Sequence, residues 1–151
     1  MMGELNEIEI NNILCSQVVG RLGCADGKSP YIIPVTYTFD GNFIYGQLLE
    51  GKKLDIMRKN PTICFQVDII LDIYNWQSVI IYGRFEEQLG EDSSTARDIL
   101  FSRVIPLMTS ATVHPHGNGQ TTLDTVIEDN RVKPVTFKIR IKEKTGRFQK
   151  V

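Results

Sequence analysis

The chain has 151 residues, a formal net charge of −1, and a hydrophobic fraction of 42%. This length suits a single domain over residues 1–151, and the apolar fraction is high enough to build a folded core. The near-zero charge argues against a nucleic-acid-binding protein, and no apolar run reaches the ~20 residues that a membrane helix needs.

The cysteines and the N-terminal residues indicate in which cellular compartment the protein is located. Cys15, Cys24 and Cys64 are an odd number and lie far apart in the sequence. This usage fits reduced thiols better than a disulfide framework or a zinc site. The first residues are acidic and lack the hydrophobic segment of a signal peptide. We therefore expect a cytoplasmic protein.

Alternating apolar and polar residues predict strands in this chain, and apolar residues at helical spacing predict helices. In chain order the predicted elements are helix 4–17, strand 18–25, strand 31–39, strand 42–47, helix 52–60, strand 62–67, strand 76–85, helix 93–107 and strand 135–141. Residues 68–75 are predicted as a continuation of the preceding strand or a loop, and the polar residues 109–131 as a long irregular segment. Hairpin signals dominate, so we expect a mainly β antiparallel barrel with peripheral helices.

Pro34 interrupts the predicted strand 31–39. Proline cannot donate a ladder hydrogen bond, so it belongs on a sheet edge or beside a bulge. Two interpretations follow. The strand is a plain edge strand, or the interruption leaves neighbouring backbone groups free to bind a ligand.

Lys52 and Lys53 stand at the start of the predicted helix 52–60. The helix dipole disfavours positive charge at this end. A bound phosphate would reverse that preference, because free backbone N–H groups and two ammonium groups would hold it together. The alternative is a pair of solvated surface lysines, and the residues alone leave both interpretations open.

The remaining candidate residues give weaker evidence for a metal site or a catalytic site. His114 and His116 suggest a metal site, but two histidines without a third ligand favour a plain flexible loop. The carboxylates Asp124, Glu128 and Asp129 give little support for acid–base catalysis. Phosphate-binding, dinucleotide-binding and serine-hydrolase motifs do not occur in the sequence. Residue chemistry therefore predicts a small β-barrel with a candidate anion site.

A set of short motifs follows in a fixed order along much of the chain. They are residues 20–23 (GRLG), 30–37 (PYIIPVTY), 40–45 (DGNFIY), 50–55 (EGKKLD), 58–61 (RKNP), 63–65 (ICF), 76–79 (WQSV), 83–84 (GR) and 144–147 (KTGR). Together they resemble the pyridoxamine 5′-phosphate oxidase-like FMN-binding split barrels. The most similar members are the nitroimidazole-resistance-type and flavin-nucleotide-binding proteins.

The resemblance implies an antiparallel split β-barrel that forms a homodimer, with FMN at the subunit interface. The cofactor-binding residues that it implies are Ile33, Pro34, Val35, Thr36, Tyr45, Gly46, Lys52, Lys53 and Ser78. Residues 33–36 would contact the flavin ring through their backbone, and the two lysines would hold the phosphate. Tyr45 and Gly46 would face the ribityl phosphate chain. Ser78 would reach the cofactor from the partner subunit.

The resemblance also implies an FMN-dependent oxidoreductase with an unknown substrate. The C-terminal arginine and histidine motif of true pyridoxamine phosphate oxidases does not occur in this chain. Gly46 stands near the position where nitroimidazole-resistance proteins often carry a histidine. Three alternatives stay open: a non-catalytic flavin-binding or sensing module, a haem-binding split barrel that uses His114 and His116, and a structural dimer.

Overall fold

The computed structural model describes residues 1–111 and 134–151, which form seven strands and three helices. In chain order these are β1 (Met2–Glu4), α1 (Glu7–Ser16), β2 (Val19–Ala25), β3 (Pro30–Phe39), β4 (Phe43–Leu49), α2 (Lys52–Lys59), β5 (Thr62–Asp72), β6 (Asn75–Glu87), α3 (Gly90–Ala111) and β7 (Pro134–Gln149). The elements follow the predicted order, with β1 added in front.

The strands form one antiparallel sheet in the order β1-β7-β4-β3-β2-β5-β6. An additional pairing between β6 and β7 closes six of these strands into a ring, and β1 adds to β7. This arrangement confirms the expected mainly β fold, an antiparallel split barrel with peripheral helices. None of the helices in the described residues is long and apolar enough to cross a membrane.

The core lies inside the ring of strands. Alternate strand residues point inward, so Tyr37, Phe65 and Phe137 are fully buried. The Tyr37 and Phe65 rings meet edge to face, with their centroids 5.1 Å apart. Helix α1 contacts β3, β5, β6 and β7, and therefore closes one end of the barrel. A reciprocal capping box between Asn6 and Glu9 starts this helix.

The phenol of Tyr37 connects α1 to the barrel. Its Oη donates a hydrogen bond to the Leu14 carbonyl, 2.7 Å away, inside the core. Burial raises the pKa of Tyr37 above its ordinary value of 10.0, because the charged phenolate would be desolvated. The folded chain therefore keeps a proton that the unfolded chain releases above pH 10.

We expect Tyr37→Phe to lower the free energy of unfolding by about 1–2 kcal/mol, since a buried carbonyl loses its donor. We also expect wild-type stability to fall as the pH rises above 10, and the variant to lose less over that range. Urea unfolding at neutral and alkaline pH measures both effects. Tyr74→Phe is the matched control, because the Tyr74 side chain is exposed in the turn between β5 and β6. Parallel pH curves for wild type and Tyr37→Phe would contradict this assignment.

The turn between β3 and β4 follows the predicted Asp40-Gly41 signal. Asp40 Oδ1 accepts hydrogen bonds from the backbone N–H groups of Asn42 and Phe43, both at 2.8 Å. Gly41 adopts φ 102°, a conformation that side chains disfavour. Local turn chemistry alone therefore fixes this hairpin.

The main differences from prediction concern element ends. Residues 68–72 continue β5, and a tight turn at residues 73–74 leads directly into β6. There Asp72 Oδ1 accepts a hydrogen bond from the Tyr74 N–H at 2.7 Å. Helix α3 runs on to Ala111, so the predicted irregular segment is wrong at residues 109–111. The rest of that segment lies outside the described residues.

Candidate functional site

Strand β3 has two halves with different neighbours. It pairs with β2 over residues 30–36, but with β4 only from Tyr37 to Phe39. Strand β4 then continues along β7 instead. In the described part of the chain, residues 30–36 of β3 thus have a strand on one side only. Pro34 lies within this open edge, where its missing N–H disrupts no ladder.

Hydrogen bonding along β3 shows which groups face the open edge. The Tyr37 N–H donates to the Val18 carbonyl on the β2 side, at 2.9 Å. Bonding residues alternate along an antiparallel pair, so the backbone groups of Ile32 and Thr36 point the opposite way. The Pro34 carbonyl points with them. From Ile32 to Thr36 the open edge therefore presents N–H groups from two residues and carbonyls from three, a pattern suited to the edge of a heterocyclic ring.

Helix α2 starts without a cap. Gly51 precedes it in an extended conformation, and no side chain caps the first turn. The Asp55 N–H bonds to the Gly51 carbonyl at 3.2 Å, so the preceding N–H groups of the helix have no intrahelical acceptor. Leu54 and Met57 are fully buried and hold the helix against the barrel. Its N-terminus is therefore a fixed set of free donors.

Lys52 and Lys53 are the first two residues of this helix. Lys52 is exposed and Lys53 is half-buried. Neither lysine forms an ion pair with any described residue. The pKa of Asp26 is lowered mainly by the backbone N–H groups of Ser29 and Lys28, and the nearby Lys52 ammonium adds a smaller effect. Lys52 therefore reaches towards the turn between β2 and β3.

One contact links the helix start to the open edge. Lys52 Nζ lies 5.9 Å from the ring centroid of Tyr31, a residue in the one-sided half of β3. A cleft of ≈ 430 Å³, lined in part by Asp26, Lys52 and Asn60, adjoins this contact. The open edge and the free helix donors therefore belong to one region of the surface.

Ser78 lies elsewhere. Its strand β6 is opposite β3 in the six-strand ring, three strand spacings away along the sheet in either direction, or about 14 Å. Its Oγ accepts a hydrogen bond from Gln66 Nε2 at 3.0 Å. Ser78 and the open edge therefore lie on opposite strands of the ring.

Tyr45 and Gly46 both take part in packing and hydrogen bonding within the barrel. Tyr45 is buried, and its Oη donates to Asp40 Oδ2 at 3.0 Å. Burial and then this hydrogen bond raise the pKa of Tyr45 to about 12. A Cβ on Gly46 would lie 2.6 Å from Phe137 Cζ. Their role towards a ribityl chain stays a prediction.

Sequence reasoning missed Arg58 and its two partners. Arg58 bonds to Glu50 and Glu87, which are 8 and 29 positions away in the sequence. Arg58 lies in the quoted RKNP motif, but nothing local indicates that Glu87 would meet it. Only the three-dimensional fold joins these residues.

The other candidates receive no support from the described residues. His114, His116 and the carboxylates of residues 124–129 lie outside them. Cys15, Cys24 and Cys64 are free thiols, and only Cys24 is buried. In residues 1–111 and 134–151, no cluster of three or more histidine, cysteine or acidic residues could hold a metal ion.

Comparison with known proteins gives one family match and one relative in sequence. A family model described as pyridoxamine 5′-phosphate oxidase matches residues 6–146. An uncharacterized protein of Rhizobium meliloti (strain 1021) is 34% identical over 79 residues, which make up 52% of this chain and 52% of that protein. The match thus spans about half the length of that relative.

Solved structures share the fold over nearly the whole chain. A FAD-binding protein of Mesorhizobium loti is 28% identical, with a TM-score of 0.75 over 98% of both chains. A candidate 5-nitroimidazole antibiotic resistance protein of Bacteroides thetaiotaomicron is 16% identical. Its TM-score is 0.69, over 98% of this chain and 89% of that one.

Proposed function

The chain belongs to the pyridoxamine 5′-phosphate oxidase family, and from this premise we propose that it is a flavin-binding protein that carries FMN. The observation that carries the proposal is the contact between Lys52 Nζ and the Tyr31 ring, at 5.9 Å. It places the uncapped start of α2 beside the open edge of β3. FMN needs a site for its phosphate and a site for its ring, and these two features match them. The structural relative from Mesorhizobium loti is named as FAD-binding, which supports a flavin.

The open edge of β3 suits the flavin ring. Ile32 and Thr36 each offer an N–H and a carbonyl along this edge and Pro34 offers a carbonyl, and the polar edge of an isoalloxazine likewise carries both donors and acceptors. Backbone groups on a strand are rigid, so they orient the ring at little entropic cost. Within the segment 33–36 that the sequence resemblance implied, Pro34 and Thr36 are therefore proposed to contact the ring through their backbone groups.

The start of α2 suits the phosphate. Its free N–H groups point out of the helix, where the dipole favours negative charge. Lys52 and Lys53 add two ammonium groups without carboxylate partners in the described residues. FAD would have to extend a second phosphate and an adenosine beyond this point, so we propose FMN as the preferred flavin.

A homodimer completes the proposed site. Ile32, Gly23, Cys64 and Tyr82 form one row across β3, β2, β5 and β6. Ile32 is 68% exposed and Tyr82 is 47% exposed, so the row offers apolar surface beside the open edge. A second copy packed on this face would bring its own Ser78, which lies on β6, towards the cofactor at the open edge of β3.

When bound, the flavin would supply the electron transfer of an oxidoreductase. The chain would bind and orient the ring and keep water from one side of it. Among residues 33–36 there is no titratable side chain, so the ring segment offers no acid or base of its own. A flavin-binding or sensing module without turnover, which needs no acid or base beside the ring, is the second candidate function.

The deciding experiment is a visible absorption spectrum of the purified protein, followed by titration with FMN and then FAD. We expect flavin bands or saturable binding of one FMN per subunit, with weaker FAD binding, in a particle of twice the subunit mass. Bleaching of the bound flavin by NADH or NADPH would indicate an oxidoreductase, and tight binding without bleaching the sensing module. A colourless protein that binds neither flavin would reject the proposal.

A further inference from the structure

Arg58 holds two carboxylates from distant parts of the chain. From the last turn of α2, its guanidinium donates four hydrogen bonds of 2.8–3.0 Å. Two go to the carboxylate of Glu50, just before α2, and two to that of Glu87 at the end of β6. Both contacts are bidentate, which fixes the orientation of the guanidinium as well as its position.

This cluster controls the approach to the helix start. Glu50 and Gly51 form the connection from β4 into α2, and a Cβ on Gly51 would meet nothing within 4 Å. Side-chain packing therefore does not hold Gly51. Two contacts do hold the connection: the Glu50–Arg58 pair and the bond from the Asp55 N–H to the Gly51 carbonyl. Leu54 and Met57 fix the helix itself, and the Glu50–Arg58 pair fixes the residue that leads into its free N–H groups.

The cluster also changes the charge beside the helix start. Glu50 is two residues from Lys52, and an unpaired carboxylate there would repel an incoming phosphate. Arg58 hydrogen bonds lower the pKa of Glu50 and of Glu87, so both stay charged and both need a cation. Exposed ion pairs add little to stability, which leaves local charge and geometry as the main consequence of the pairing.

We propose that Arg58 is a positioning residue for the flavin phosphate, which it serves by anchoring Glu50 and by offsetting part of the negative charge of Glu50 and Glu87 beside the α2 N-terminus. This inference rests on the proposed FMN site. It assigns the cluster a role in selecting phosphorylated over unphosphorylated flavin. Arg58 itself does not contact the ligand.

The test compares FMN with riboflavin, which has the same ring but no phosphate. Dissociation constants come from quenching of flavin fluorescence. We expect Arg58→Ala to weaken FMN binding roughly fivefold, a modest effect because solvent screens an exposed charge. Riboflavin binding should stay unchanged, because riboflavin has no phosphate. Arg58→Lys should fall between the two, since lysine keeps the charge but cannot bond both carboxylates bidentately.

Two further variants sharpen the test. Glu50→Gln added to Arg58→Ala should restore part of the FMN affinity, because the repelling carboxylate is gone. Arg140→Ala is the matched control: it breaks a similar exposed pair with Glu86, at 3.1 Å on β7 and β6. It should leave FMN affinity unchanged. Suppose that wild type binds FMN. If Arg58→Ala then binds FMN equally well, or if it loses affinity for FMN and riboflavin to the same extent, the inference about Arg58 is wrong while the proposed function stands. If wild type binds no FMN, the proposed function fails with it.

Discussion

Replacing Lys52 and Lys53 together by alanine is expected to weaken FMN binding at least about tenfold, since each charge-assisted bond to phosphate contributes ~1.5–3 kcal/mol. Riboflavin binding should stay within the error of the wild-type value, because riboflavin carries no phosphate. Without flavin, the variant should be no less stable than wild type. Positive charge at a helix N-terminus is unfavourable by ~0.3–1 kcal/mol, so removing it should stabilise the apo-protein slightly.

A loss of FMN affinity without a loss of apo-protein stability distinguishes an effect on binding from an effect on folding. Isothermal titration with FMN and riboflavin gives the affinities, and urea unfolding of the apo-protein gives the stability. Lys142→Ala is the matched control, because Lys142 is an exposed lysine on β7, outside the cleft that Lys52 lines. It should bind FMN like wild type. FMN affinity that survives the loss of both lysines would move the phosphate to another part of the surface.

Local signals in the sequence predicted the parts of the fold that local chemistry decides. The Asp40-Gly41 turn, the alternation along β3 and the start of α2 at Lys52 all depend on residues within a few positions of each other. Strand β1 could not be predicted in this way. It has three residues, and its Met2 pairs with Gln149 at the other end of the chain. Nothing near Met2 indicates that partner.

The same distinction applies to the candidate site. The lysines at α2 and the ring segment of β3 could be named from the ordered motifs. The open edge of β3 could not, because it depends on where β4 leaves β3 to pair with β7. The separation of Ser78 from that edge likewise follows from the strand order around the ring. Sequence motifs identify residues, whereas the topology determines which of them can share a ligand.

Gly46 has no room for a histidine, the residue that the sequence resemblance places near this position in nitroimidazole-resistance proteins. A Cβ there would lie 2.6 Å from Cζ of the fully buried Phe137 ring. That ring cannot move back freely, because Phe85 stands behind it with a centroid separation of 5.1 Å. We therefore expect Gly46→His to lower the free energy of unfolding by at least about 1–3 kcal/mol, the usual penalty for overpacking a core.

A double-mutant cycle tests this steric cause. Phe137→Ala alone should lower the free energy of unfolding by ~3–5 kcal/mol through the cavity that it leaves. Gly46→His with Phe137→Ala should be destabilised by less than the sum of the two single changes, because the imidazole enters the vacated space. Gly51→His is the control for the histidine itself, since a Cβ there meets nothing within 4 Å. Denaturant unfolding of the five proteins measures the coupling. Additive losses would mean that desolvation of the imidazole, rather than the Phe137 ring, keeps histidine out of this position.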